Sequence, residues 1–122
     1  MITKKGGIDL ENNMIIKDIN DKVVVYFQGE IDCLNTPVYR EKLTELIENT
    51  TGDMIFDFKD TTFIDSSGIG LVLGRYNQLK FDERSLILTD LNPVAYRLFE
   101  LTGLFKIMPY YKNIESLREG IQ

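Results

Sequence analysis

The sequence predicts an α/β fold built on a mixed β-sheet, and three observations carry that expectation. From Thr36 onward, short β-rich runs alternate with longer segments of helical period, an alternation that implies parallel strands joined by crossover helices. Two of the helical segments open with a capping residue followed by proline, Thr36-Pro37 and Asn92-Pro93, the order that suits a helix N-terminus. Ahead of them, the runs Met14 to Ile19 and Lys22 to Gln28 are separated only by Asn20-Asp21, a pair that tolerates the positive φ angles of a tight hairpin turn. The order read from the chain is β-β-α-β-α-β-α-β-α, with the N-terminal hairpin adding an antiparallel strand to a sheet of parallel crossovers.

Each element has its own local warrant. Residues 1–12, with Gly6-Gly7 and mixed charge, show no hydrophobic period and read as a leader, leaving 13–122 as one domain. After the hairpin, Thr36 caps a first helix whose apolar face is Tyr39, Leu43, Leu46 and Ile47, and Thr51-Gly52-Asp53 stops it. Met54 to Phe58 is a short apolar strand. Asp65-Ser66-Ser67 opens a second helix with Ile69, Val72, Leu73, Tyr76 and Leu79 on one stripe, and Ser85 to Thr89 is the next strand. The third helix starts at Asn92-Pro93, buries Val94, Leu98 and Leu101, and ends before Gly103, placed for a left-handed C-cap. Lys106 to Met108 reads as a last strand before Pro109. Asn113 caps a terminal helix carrying Ile114, Leu117 and Ile121, which brings the helices to about four.

Composition excludes more than it assigns. The chain has 122 residues, a net charge of −5 and no histidine. Without imidazole there is no Ser-His-Asp or Cys-His nucleophile, no His proton shuttle and no His-ligated metal. The one cysteine, Cys33, has no intrachain partner and suits a reducing compartment. The acidic balance and the lack of a Lys/Arg-rich run argue against a nucleic-acid surface. No apolar run reaches the about 20 residues that a membrane helix takes. The expectation is a cytoplasmic protein that is not an enzyme, binds no cofactor and contacts neither nucleic acid nor membrane.

In open α/β sheets, ligands and partners meet the loops after the carboxyl ends of the strands. The stretch Phe63-Ile64-Asp65-Ser66-Ser67-Gly68-Ile69-Gly70 is the richest of these. A serine at a helix N-terminus lies beside free N–H donors and the positive end of the macrodipole, where phosphate is favoured. The plainer alternative is that Asp65, Ser66 and Ser67 only cap the helix. Continuing from Ser67, one face carries Gly70, Leu71, Gly74, Arg75 and Gln78, so Leu71 is expected to be exposed beside two glycines on a flat docking surface. Alternatively, Gly70 and Gly74 permit close packing on a strand. The stretch is neither G-x-S-x-G nor a phosphate loop with its lysine, so a hydrolase or phosphotransferase acting through Ser67 is disfavoured.

At these residues the sequence resembles the STAS-domain anti-sigma factor antagonists, whose signature is D-S-S-G or D-S-T-G leading into a Gly-containing helix. Gly29-Glu30-Ile31-Asp32 looks like the family's G-E-[LI]-D loop, and Arg97 to Ile107 looks like its R-L-F-x-x-[ST]-G-L segment. The likeness is strongest to the sporulation members, through Asp65 to Gly68, Leu73-Gly74-Arg75-Tyr76 and Gly103 to Ile107. It implies a single STAS domain with Ser67 as phosphoacceptor. The implied partner-binding residues are Glu30, Asp32, Asp65, Ser66, Ser67, Gly70, Leu71 and Gly74. It also implies an anti-sigma factor that is a serine kinase with ATP bound on its own side, a serine phosphatase that resets the switch, and a sporulation pathway. Cys33-Leu34-Asn35 departs from the residues usual after the G-E-[LI]-D loop. The rival from another class is a STAS-like module that binds a nucleotide or anion at the same loops.

Overall fold

The computed structural model describes residues 13–119, together with the backbone of two short strands, β1 (Thr3–Lys4) and β2 (Ile8–Asp9). The remainder of the leader, and Ile121, lie outside the described residues. The hairpin strands are β3 (Met14–Ile19) and β4 (Lys22–Phe27), followed by β5 (Gly29–Ile31), α1 (Thr36–Glu48), β6 (Met54–Asp57) and β7 (Thr61–Ile64). Then come α2 (Ser66–Phe81), β8 (Leu86–Thr89), α3 (Pro93–Leu101), a 3-10 turn (Leu104–Lys106), β9 (Tyr110–Tyr111) and α4 (Ile114–Glu119).

The main sheet has the order β1-β2-β3-β4-β6-β8-β9. Its β1 to β4 pairings are antiparallel, whereas β4·β6, β6·β8 and β8·β9 are parallel. Asn20 and Asp21 adopt φ of 50° and 68°, as the hairpin turn requires. A second, two-stranded parallel sheet pairs β5 with β7 and sits at the carboxyl end of the main one.

Strand alternation decides which layer each side chain enters. Val23, Val25, Phe27, Met54, Phe56, Leu86 and Leu88 face α1, α2 and α3, while Val24, Ile55 and Ile87 face α4 through Ile114 and Leu117. Phe27, Phe56, Phe58 and Phe99 are each at most 1% exposed, and the Phe27 and Phe58 rings stack at 5.4 Å. Each such ring contributes about 1.5–3 kcal/mol by leaving water. Tyr39, Leu43 and Ile47 of α1 join this core as their spacing predicts, with Leu46 at its edge.

Several local expectations are corrected. The cap of α1 is Asn35, one residue before Thr36, and Thr36 is buried in the first turn. In α3, Val94 is 80% and Leu101 68% exposed, and Ala95 and Phe99 are the buried pair. Phe99 packs edge-on against Phe58, and that larger contact sets how the nine-residue helix is rotated. Lys106 to Met108 is no strand: the Leu88 N–H finds its acceptor at the Pro109 carbonyl, so pairing begins after the proline. Gly103 does adopt the left-handed conformation, with φ of 82°, that closes α3. Ser116 donates its N–H to Asn113 Oδ1 at 2.7 Å, which confirms the cap of α4.

Candidate functional site

Pairing of β5 with β7 builds the site, because it sets Glu30 opposite Phe63 and Ile31 opposite Ile64. Both strands end at the same level, and the loop after each carries an aspartate. The Asp65 N–H donates to the Ile31 carbonyl at 3.1 Å, and the Cys33 N–H donates to Asp65 Oδ2 at 3.1 Å. The two loops are therefore bonded to each other in both directions.

Asp65 is the N-cap of α2. Its Oδ1 accepts the Ser67 N–H at 2.8 Å and also the Ser67 hydroxyl, so the capping residue aims the serine oxygen. The Ser67 hydroxyl holds the Asp65 carboxyl below its ordinary pKa against the opposing effect of desolvation, and the Ser67, Cys33 and Gly68 N–H groups add to the lowering. Such a carboxylate stays ionised and orients the hydroxyl. Asp32 spends its carboxylate on its own loop: Oδ1 accepts from the Leu34 and Asn35 N–H groups at 3.0 and 3.1 Å. Asn35 answers by accepting the Asp32 N–H at 2.9 Å and by donating to the Glu30 carbonyl at 2.8 Å. Glu30 and Ser66 are exposed, and Ser67 is half-buried.

The glycines of α2 do different work. A Cβ on Gly68 would lie 2.4 Å from Ile64 Cγ2 and 3.3 Å from Ile31 Cγ2, so this glycine lets the helix sit down on the β5·β7 pair. At Gly70 and Gly74 a Cβ would meet nothing within 4 Å. Close packing on a strand is thus the role of Gly68, and Gly70 and Gly74 leave an open surface.

Leu71 is the expectation the structure overturns. It is 2% exposed, while Leu73, assigned above to the core stripe, is 37% exposed. In the row Ser67, Leu71, Arg75, Gln78 the two ends are half-buried and the middle pair, Leu71 and Arg75, is buried. Its C-terminal end meets α1, where Gln78 Oε1 accepts the Thr44 hydroxyl at 3.3 Å. Two covered sides leave α2 a narrower outer face than amphipathic spacing predicts. That face holds Ser66, Gly70, Leu73, Gly74, Asn77 and Phe81. The structure brings together Glu30, Asp32, Asp65, Ser66, Ser67 and Gly70, with Gly74 one turn on. Sequence reasoning missed the Cys33 amide, which clamps Asp65, and the Ile31–Ile64 floor; both depend on a strand pair too short to announce itself by period.

A two-residue acidic pair lies apart from the serine, at the ends of β6 and β8. Asp57 is buried and accepts the Thr89 hydroxyl at 2.7 Å and the Lys59 N–H at 3.0 Å. Burial, then the charge of Asp57 and a hydrogen bond with it, push the Asp90 carboxyl up to about 6. Among the described residues no group of three or more Cys, Asp or Glu side chains is placed to hold a metal ion. No described helix is long and apolar enough to cross a membrane.

A mixed sheet whose carboxyl edge carries a clamped Asp-Ser-Ser-Gly turn at a helix N-terminus defines a STAS domain, and the profile of that family matches residues 13–117; the chain belongs to it. Within the family it stands with the anti-sigma factor antagonists. It is 35% identical to the anti-sigma F factor antagonist of Paenibacillus polymyxa over 80% of this chain and 85% of that one. It is 36% identical to the anti-sigma-B factor antagonist of Bacillus subtilis over 88% of this chain and 94% of that one. Among solved structures, the anti-sigma factor antagonist SpoIIAA in its unphosphorylated form superposes with a TM-score of 0.68 at 26% identity, covering 88% of this chain and 94% of that one. The Bacillus cell fate determinant SpoIIAA in the phosphorylated form gives 0.66 at 28% identity, covering 87% and 97%.

Proposed function

We propose that this chain binds an anti-sigma factor that is also a serine kinase, frees the sigma factor, and is switched off when that kinase phosphorylates Ser67. The observation that carries the reading is the Asp65 clamp, which presents the Ser67 hydroxyl at the start of a helix whose outer face is left bare by Gly70 and Gly74. The relatives' names support the antagonist role, and the phosphorylated form of SpoIIAA supports a phosphate switch.

In the transfer step the γ-phosphoryl of ATP on the partner passes to Ser67 Oγ, ADP departs, and the hydroxyl proton leaves to a base on the kinase. Asp65, its pKa held low, serves as the orienting acceptor. The product loses its hydrogen bond to Asp65, because the hydroxyl hydrogen is gone, and gains a charge of about −1.5 to −2 beside that carboxylate. Repulsion then favours the phosphate turning toward solvent, onto the docking face, where an unpaired charge at a desolvating contact is costly. Dissociation follows with little change of fold, and a separate phosphatase resets the chain. The chain itself acts as substrate and ligand in the cytoplasm and turns nothing over.

We assign the pathway to sporulation, on the likeness to the sigma F antagonist, with the sigma-B stress pathway as the second reading on the equal likeness to that branch. The test incubates the chain with ATP and each purified anti-sigma kinase and maps phosphate by mass spectrometry. Phosphate on Ser67, absent from Ser67→Ala, with the sigma F kinase preferred, is the expected result. No phosphate from kinases active on their own substrates sinks the switch and favours a nucleotide- or anion-binding module.

A further inference from the structure

Arg75 is 8% exposed, yet its Nη1 is buried with no hydrogen-bond partner. Its Nε donates to Gln78 Oε1, an acceptor that Thr44 of α1 also uses. The guanidinium is therefore wedged between α1 and α2 with one neutral, shared acceptor. Arg40 stands one turn before Thr44 on α1, and its positive charge adds to burial in lowering the pKa of Arg75. No carboxylate answers either arginine among the described ion pairs, although the chain carries a net charge of −5.

A buried guanidinium normally brings its own anion, because leaving it unpaired costs more than an apolar side chain in its place. Here the inward position is poorly satisfied, so turning Arg75 outward gives up little. Arg75 lies on the same row of α2 as Ser67, about two turns further along the helix. An arriving carboxylate would meet two guanidiniums and accept paired N–H donors, the geometry arginine supplies best.

We propose that the seam between α1 and α2 is a second docking point, in which Arg75, turned outward, and the exposed Arg40 take an aspartate or glutamate side chain of the anti-sigma factor that binds at Ser67. The proposal rests on the antagonist reading and locates an anchor away from the phosphate switch.

The test compares wild type with Arg75→Met, Arg75→Lys, Arg40→Gln and Ser67→Asp for affinity to a purified anti-sigma factor and for thermal stability. Arg75→Met keeps the packed stem and removes the orphaned donor. It is expected to weaken binding by roughly tenfold or more while leaving the melting temperature equal or higher. Arg75→Lys should recover part of the affinity, and Arg40→Gln should lose a smaller part. Sodium sulfate should compete better than sodium chloride of equal ionic strength against wild type and no better against Arg75→Met. Unchanged affinity in Arg75→Met, alongside weakened binding in Ser67→Asp, overturns the second docking point and keeps the antagonist reading. A lower melting temperature with unchanged affinity makes Arg75 a packing strut. Wild type that binds no anti-sigma factor at all takes down both.

Discussion

Replacing the three glycines of α2 with alanine, one at a time, separates packing from docking on a single helix. At Gly70 and Gly74 an added methyl meets no atom within 4 Å, so each alanine should recover the full helix-propensity difference, about 0.8–1 kcal/mol. The double variant should then be more stable by about 1.5–2 kcal/mol, which for a chain of this size raises the melting temperature by roughly 5–8 °C. At Gly68 the same methyl would lie 2.4 Å from Ile64 Cγ2, about 1 Å inside ordinary contact, with Ile31 Cγ2 at 3.3 Å. Overpacking there costs about 1–3 kcal/mol and outweighs the propensity gain in most of that range. The three variants should therefore change stability in opposite directions. Urea denaturation reads that sign, and a parallel titration with the anti-sigma factor reads function. Gly70→Ala and Gly74→Ala should bind more weakly although they are more stable, since their methyls project from the docking face. If both bind as wild type does, that face is not used. If neither is stabilised, α2 has contacts on its outer side that the structure does not show.

The remaining predictions are shorter. Leu71→Glu places a charge in the core and should unfold the domain, whereas Leu73→Glu should leave stability within about 0.5 kcal/mol and weaken anti-sigma binding; a folded, weak-binding Leu71→Glu by circular dichroism would contradict the assignment of faces. Asp90 titrates near 6 in the fold and at about 3.9 in the unfolded chain. Below pH 4 both states hold the proton and nothing is lost; between 4 and 6 only the folded state holds it, so stability falls with rising pH and the loss is complete above 6. The shift corresponds to about 3 kcal/mol at most, and contact with solvent reduces it to about 1–2 kcal/mol. Asp90→Asn, which also suits the positive φ of 62° at that position, should thus be stabilising at pH 7.5 and neutral at pH 4 in paired denaturation curves.

Legibility in the sequence followed the length and redundancy of each signal. Asn20-Asp21, Asn92-Pro93 and Asp65 were readable because the chemistry of a cap or a turn resides in one or two residues and needs no partner. Tyr39, Leu43 and Ile47 were readable because they fall at i, i+4 and i+8 on the one stripe of α1 that enters the core. The errors fall where the tertiary contact decides. Periodicity placed Leu73 inside and Leu71 outside because it presumes a single buried stripe, and α2 is covered by both the sheet and α1. Val94 and Leu101 have the spacing of a buried face, but Phe99 offers more area and takes the core. Ser67, the proposed phosphoacceptor, emerged from the motif and the likeness to a family. The clamp that aims it depends on Cys33 and Ile31, more than 30 positions upstream, and no local pattern joins those to Asp65.

The parallel pairing of Gly29–Ile31 with Thr61–Ile64 also constrains how this surface can be re-engineered or diversify. The two loops share hydrogen bonds in both directions and rest on one isoleucine pair, so neither is an independent cassette. Transplanting the serine turn from another family member without its matching acidic loop would strand Asp65 without the Cys33 amide and mismatch the floor under Gly68. A chimera that exchanges this surface therefore has to carry residues 29–35 and 61–70 together.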